Sequence, residues 1–486
     1  MKRTRLLFFM LSIFLVAGFQ LQAKGSVDIV VMSDPHLLSP ELITRSGKAI
    51  DNCHDSDMRM IKQSDEIMKA LVAQVKTIKP RLLLITGDIT KDGELLSHKR
   101  MVSYLDQLQT AGVKTLVIPG NHDIKNPFAK YFDGDKTHDA PTVGPQQFMQ
   151  LYNNYGYGSS SRLDTASLSY ACEPIPGLVV IGIDSNRYED HRLKSQGDSA
   201  DVYHNDGRVK PETVQWITQQ AQQARAQGKQ VIALMHHHLL EHFDKEADFL
   251  PNYIVANATS LRNQLLQAGI HNVFTGHLHV SDIARDYNDG DSITDVATGS
   301  AISYPFHYRT ITLNDGSMSI NTHSLKSTPG NRLLQAQGKL KVEKQVPALM
   351  DAMTRKAWGK VQDKIAGVFS MFGGGKVEFP SNVEGIAYAL HKQYDEVAKK
   401  GYIAVLEGNE GKNKDSKEII SELEGSIMFA LKTTFPSGLG EMVQGFMQEN
   451  AMPAFENLLR SIFQDRNHCG TEQEVVVNDL KVNLKL

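Results

Sequence analysis

Short apolar runs, each stopping at a carboxylate, amide or imidazole residue, alternate with amphipathic stretches along the first part of this 486-residue chain. Val27 to Met32 runs into Ser33-Asp34, Arg81 to Ile85 into Thr86-Gly87-Asp88, and Val113 to Ile118 into Pro119-Gly120-Asn121-His122-Asp123. Gln230 to Met235 stops at His236, and Ile270 to Thr275 at Gly276-His277. Between these runs, Ile61, Met68, Leu71, Val75 and Ile78 recur at helical spacing up to Pro80. A second helix is expected from about Glu94 to Thr110. Val214, Ile217, Ala221 and Ala224 share one face of a third, opened by Pro211 and closed by Gly228. Such alternation implies a layered α/β fold with a largely parallel core sheet. Ligands of such sheets gather beyond the carboxyl ends of the strands, where Asp34, Asp88, Asn121, His236 and His277 all fall.

From about residue 290 the pattern changes. Ile293 to Thr298, Tyr308 to Leu313 and Met318 to His323 read as strands, the last two joined by the turn Asn314-Asp315-Gly316. They are expected to form an antiparallel edge that completes a two-sheet sandwich. Ser327-Thr328-Pro329-Gly330 marks a boundary, so a domain over 24–330 and a mainly helical C-terminal region over 331–486 are expected. Within the latter, Gly373 to Lys376 reads as a loop, because Val377 stands where a phosphate loop needs Ser or Thr. The run from Val475 to Leu486 alternates like an edge strand.

Residues 1–23 read as a signal peptide. A cationic start (Lys2, Arg3, Arg5) precedes an apolar run from Leu6 to Phe19, and Leu21-Gln22-Ala23 offers a small-residue cleavage site. The run is shorter than the roughly 20 apolar residues a spanning helix needs. The expectation is an exported protein, periplasmic or extracellular, cut near Ala23 and without a stable membrane anchor. Its net charge of -3 counts against a general nucleic-acid binder, which needs a positive surface to displace phosphate counterions. Cys53, Cys172 and Cys469 leave one thiol over in any pairing and show no metal spacing.

The strand ends carry the chemistry. Asp34-Pro35-His36, Gly87-Asp88, Gly120-Asn121-His122-Asp123, His236 and Gly276-His277-Leu278-His279 supply mixed carboxylate, amide and imidazole donors. Such sets suit Fe, Mn or Zn, whereas Mg and Ca prefer all-oxygen shells. Seven candidates (Asp34, His36, Asp88, Asn121, His236, His277 and His279) are too many for one tetrahedral ion and suit two ions sharing a carboxylate. Paired ions clamp both oxygens of an in-line phosphoryl displacement.

In these five blocks, taken in order, the sequence closely resembles the calcineurin-like metallophosphoesterase superfamily over roughly Val27 to Leu325. That resemblance implies a four-layer αββα sandwich with the helical C-terminal region as an addition. It also implies two divalent or trivalent transition-metal ions (Mn, Fe or Zn) and a phosphate-ester small-molecule substrate. By position it gives Asp34, His36 and His279 to one metal, Asn121, His236 and His277 to the other, and Asp88 to both. Of the three imidazoles in His236-His237-His238 the first is chosen, leaving His237 as a neighbour. His122 becomes the catalytic acid or transition-state stabiliser, with Asp123 fixing its tautomer and orientation. The nucleophile implied is a water between the metals.

Hydrolysis of phosphomonoesters or phosphodiesters is the reading these residues favour. The alternatives are a non-catalytic module that binds metal or phosphoryl ligands, and a nuclease of the same fold. A merely structural metal site has no use for His122 and Asp123, which favours the enzyme. Lys91, Arg187 and Arg309 are candidate contacts for substrate phosphate, against the commoner role of a solvated charge. Tyr152, Tyr155 and Tyr157 lie in the long insert between Asp123 and Ser167, which reads equally as a substrate-side lid or as surface decoration.

Overall fold

The computed structural model describes residues 28–349 except 195–196 and 289. Beyond them it describes 351–352, 383–408, 417–418, 420–422, 424–425, 441, 445, 448–449, 452–463, 466–467, 475–476 and 479–486. The expected signal peptide, Gly373 to Lys376 and Cys469 lie outside these residues. Cys53 and Cys172 are free thiols. No helix among the described residues is long and apolar enough to cross a membrane.

Strands β1 (Ile29–Met32), β2 (Leu82–Ile85) and β3 (Lys114–Val117) alternate with helices α1 (Ser64–Ile78) and α2 (Leu95–Thr110). After an insert come β4 (Arg162–Leu163), β5 (Tyr170–Ile175) and β6 (Leu178–Ile183), then α3 (Pro211–Ala226), β7 (Gln230–Met235), α4 (Ala258–Gln267) and β8 (Asn272–Thr275). Strands β9 (Asp282–Asn288), β10 (Asp291–Ala297), β11 (His307–Asn314) and β12 (Ser317–Ser324) follow. The described C-terminal part holds α5 (Val383–Glu407), α6 (Met452–Phe463) and β13 (Lys481–Lys485).

Two mixed sheets result, in the orders β13-β12-β11-β1-β2-β3 and β9-β10-β8-β7-β6-β5-β4. Each has a parallel part, β1-β2-β3 along one side of the first and β6-β7-β8-β10 within the second. The β11–β12 hairpin expected from its turn forms and is antiparallel, with β13 rather than β12 as the outer strand. Strand β10 departs from that expectation. It pairs parallel to β8 in the opposite sheet, because β9, its antiparallel partner, makes the return that a hairpin would have supplied.

The layers follow from strand alternation. Val180, Ile232, Leu234 and Phe274 join the core shared with β1 and β2, whereas Val179, Ile181, Val231, Ala233 and Val273 join the core under α3 and α4. On the opposite face of the first sheet, Ile67, Met68, Leu71 and Val75 of α1 and Met101, Leu105 and Leu108 of α2 are buried. Each such aliphatic side chain stabilises the fold by about 1.5–3 kcal/mol. The result is the αββα sandwich. Ala398, Ile403 and Leu406 of α5 join the same core, and β13 pairs antiparallel with β12.

Arg309 is fully buried on β11, where its guanidinium donates to the carbonyls of Ala297 and Asp479 at 2.6 and 2.8 Å. It ties the two sheets together and is no substrate contact. Tyr152, Tyr155 and Tyr157 of the insert are likewise buried, with Tyr152 Oη 2.8 Å from His98 Nδ1. These three tyrosines pack the insert onto the sandwich rather than line a lid.

Candidate metal centre

Register brings the strand ends together. Met32 lies beside Ile85 and Ile85 beside Val117 in one sheet. Met235 lies beside Ile183 and Leu234 beside Phe274 in the other. The loops beyond these residues meet. The amide of His36 donates to the Asp88 carbonyl at 2.9 Å, and that of Gly276 to the His236 carbonyl at 3.0 Å. The amide of His277 donates to the Asp34 carboxylate at 3.0 Å, joining the two sheets through a side chain.

The backbone is strained where the donors sit. Nine non-glycine residues among those described have positive φ, and five of them are Asp34, His36, Asp88, His277 and His279. Each left-handed position costs on the order of 1 kcal/mol or more and persists only where surroundings impose it, typically at functional sites. Two glycines permit the close approach. A Cβ on Gly120 would stand 2.1 Å from Asp88 Oδ1, and one on Gly276 would stand 1.9 Å from Ser33 Oγ.

Two groups of donor atoms converge. Asp34, His36, Asp88 and His279 offer one atom each within 4.8 Å of one another, as do Asp88, His236 and His277, so Asp88 belongs to both. Asp88 Oδ2 lies 3.5 Å from His36 Nε2 and 3.4 Å from His236 Nε2. Asn121 Oδ1 lies 3.0 Å from His236 Nε2. All seven are buried except His279, whose side chain is partly exposed. The structure therefore brings every expected ligand to one place.

The donor chemistry fits cations. His36 Nε2 faces His279 Nε2 at 3.0 Å with Asp34 Oδ1 3.4 Å from the latter, so imidazoles and a carboxylate aim at one point. Burial, aided by Arg59, pushes His36 well below its ordinary pKa, and burial does the same to His277. Neutral imidazole is the ligating form. Burial alone would raise the Asp88 carboxyl, but His236, His122 and His36 outweigh it and hold it well below the usual range. Arg59 Nη1 lies 2.8 Å from His36 Nδ1 and can only donate, so the His36 hydrogen sits on Nε2 in this arrangement. Ligation through Nε2 needs the other tautomer and release of Arg59.

His122 lies beside the donors without joining them. Its Nδ1 is 2.7 Å from the Lys91 carbonyl and 2.9 Å from Asp92 Oδ1, while Nε2 is 4.0 Å from Asp88 Oδ2. Here the structure corrects an expectation. The carboxylate that orients His122 is Asp92, not Asp123. The Asp123 carboxylate accepts hydrogen bonds from the amides of Ile89, Thr90 and Gly120 and from Thr90 Oγ1, and so pins two loops together. Burial disfavours the His122 imidazolium, yet Asp88 and Asp92 outweigh it and raise the pKa.

Neighbours sort themselves plainly. His237 uses Nδ1 on Ser185 Oγ at 2.7 Å and Nε2 on the Asn205 carbonyl at 3.2 Å, so it ligates nothing here. Lys91 turns to Asp92, and Arg187 to Asp190 and Asp206. Among the described residues Arg59, forked onto Asp57, is a cation that reaches the centre, through His36. Tyr203 Oη accepts from Asn121 Nδ2 at 2.6 Å, and the Tyr253 ring stands 4.7 Å from that of His277.

A profile of the calcineurin-like phosphoesterases matches residues 27–281. A probable cyclic nucleotide phosphodiesterase of Vesicomyosocius okutanii is 35% identical over 85 residues, 17% of this chain and 35% of that protein. A 3',5'-cyclic-nucleotide phosphodiesterase of Nostoc sp. is 28% identical over 148 residues, 29% of this chain and 50% of that protein. The chain thus spans between about a third and a half of these curated relatives. Among solved structures, a dimetal phosphatase from Danio rerio is similar over 62% of this chain and 97% of its own, at 13% identity and a TM-score of 0.42.

Proposed function

Because the chain belongs to the calcineurin-like phosphoesterase family, we propose that it hydrolyses phosphate-ester bonds of small molecules at a dinuclear metal centre. Phosphodiesters, cyclic nucleotides among them, are the substrates its named relatives put first, and phosphomonoesters the second class. The observation that carries this reading is that two donor groups share Asp88 while His122, held by Asp92, stands outside both. Asp34, His36 and His279 would hold one ion, Asn121, His236 and His277 the other, and Asp88 both. Mixed oxygen and nitrogen donors favour Mn, Fe or Zn. Two such cations lower the pKa of water toward neutrality and offset the charge of a phosphoryl group in transfer.

The chain's own residues supply the rest. The Lys91 carbonyl only accepts, so His122 Nδ1 carries a hydrogen, and the imidazolium form, which Asp88 and Asp92 favour, would carry a second on Nε2. From there it passes to the oxygen that departs as the P–O bond breaks. Asp92 keeps the ring turned for that transfer. Asp92→Asn is expected to lower kcat by about tenfold to a hundredfold, less than loss of the imidazole itself, because the Lys91 carbonyl still holds Nδ1. Steady-state kinetics with metal content measured alongside checks this.

The enzyme reading is tested with a bis-aryl phosphodiester and an aryl phosphate. Chelation should abolish hydrolysis, and Mn, Zn or Fe should restore it. No turnover under any metal condition would favour the binding module. Export, proposed from residues 1–23, is tested by the mass of the mature N-terminus, which should begin near Lys24.

A further inference from the structure

Behind the centre lies a second buried group of polar side chains that takes no part in the reaction proposed above. His238 and Glu246, the first residue of the short helix Glu246–Phe249, are both fully buried. Glu246 Oε1 lies 3.0 Å from His238 Nδ1, and His238 Nε2 lies 2.9 Å from the Gly276 carbonyl oxygen. A carbonyl only accepts, so His238 Nε2–H donates to it. That oxygen belongs to the peptide unit joining Gly276 to His277. The N–H at the other end of the same unit donates to the Asp34 carboxylate. The plane from which His277 leaves the backbone, at φ 69°, is therefore held at both edges by side chains.

The same segment fixes the ring. His277 Nε2 lies 3.1 Å from the Asn252 carbonyl, so Nε2 carries the hydrogen and Nδ1 is left as the free donor atom. Main-chain bonds stitch the segment to His238, whose amide donates to the Tyr253 carbonyl at 2.9 Å and whose carbonyl accepts from the Val255 amide at 3.0 Å. Stability alone does not account for the Glu246–His238 pair, since apolar side chains of similar volume often fill such a space as well or better. They would not hold a peptide plane.

We infer that Glu246 and His238 are a positioning pair that sets the affinity of the second cation position by fixing the Gly276–His277 peptide from behind. The inference rests on the dinuclear reading above. Partners of this kind behind a ligand typically change metal affinity by about 10- to 100-fold.

The test is a titration of the metal-free full chain with Mn2+, followed by stoichiometry and by the magnetic coupling of paired ions in electron paramagnetic resonance. In His238→Phe and Glu246→Leu, the second ion should bind about 10- to 100-fold more weakly and the coupled signal should give way to that of a single ion. Glu246→Gln, whose amide still bonds His238 Nδ1, should stay close to wild type. The double variant should lose no more second-ion affinity than His238→Phe alone, because only His238 touches the Gly276 carbonyl, and the bond that Glu246 Oε2 accepts from the His242 amide at 2.6 Å lies off that path. Should His238→Phe fail to fold, the contrast between Glu246→Leu and Glu246→Gln decides. Wild-type affinity in the apolar variants, or equal weakening at both positions, overturns this inference alone. A wild-type chain that binds no Mn2+ overturns the dinuclear reading together with it.

Discussion

His122→Ala is expected to keep both metals and lose most of its turnover, by about 10²- to 10⁴-fold. The ring makes no contact with the centre shorter than 4.0 Å through Nε2, whereas its backbone amide donates to Asp88 Oδ1 at 2.8 Å and survives the substitution. Metal binding should therefore be untouched. The loss should grow with the basicity of the leaving group, since a poor leaving group needs the proton most and an activated aryl oxide needs it least. Kinetics across a series of aryl esters, with metal analysis of each preparation, measures both halves. A variant that loses metal would make His122 a ligand, and one with unchanged turnover would remove its catalytic role.

Asp88→Ala should fail differently, by emptying both positions together and reducing hydrolysis to background. Asp88 is the one residue common to the two donor groups. It is fully buried, and its oxygens face His36 and His236 at 3.5 and 3.4 Å. Leaving its hydrogen-bond partners unsatisfied costs about 1–3 kcal/mol, small enough against a typical stability of about 5–15 kcal/mol for the chain to stay folded. Elemental analysis beside circular dichroism separates these effects. One ion still fully bound in a folded variant would remove the shared role.

The strand-end donors are legible in the sequence because a parallel strand must deliver its next residue to the same edge as its neighbours. Asp34, Asp88, His236 and His277 needed only that rule, and they converge, with Asn121 against His236. Side-chain direction inside a loop was not readable. Asp123 is adjacent to His122, yet its carboxylate turns to the amides of Ile89 and Thr90, and Asp92, thirty positions earlier than His122, reaches the ring instead. A second carboxylate four residues beyond Asp88 on one loop is a signal that spacing could have offered. Arg59 offered none, because the turn after the helix Lys48–Asp55 decides where it points. The insert tyrosines and Arg309 stay ambiguous in the sequence for the opposite reason. A hydroxyl or guanidinium looks suited to a ligand until its partners, His98 in one case and two carbonyls in the other, are seen inside the core.

Strand β13 carries a consequence for anyone wishing to trim this protein. A chain cut after residue 330 keeps every candidate ligand, yet it strips β12 of its neighbour and bares a row of unpaired amides and carbonyls along Ser317 to Asn321. Exposed edges of that kind recruit strands from other molecules. The cut also removes the Asp479 carbonyl from a guanidinium sealed between the sheets, and with it an acceptor that no solvent replaces. The shortened product should gather into oligomers for reasons unrelated to its chemistry.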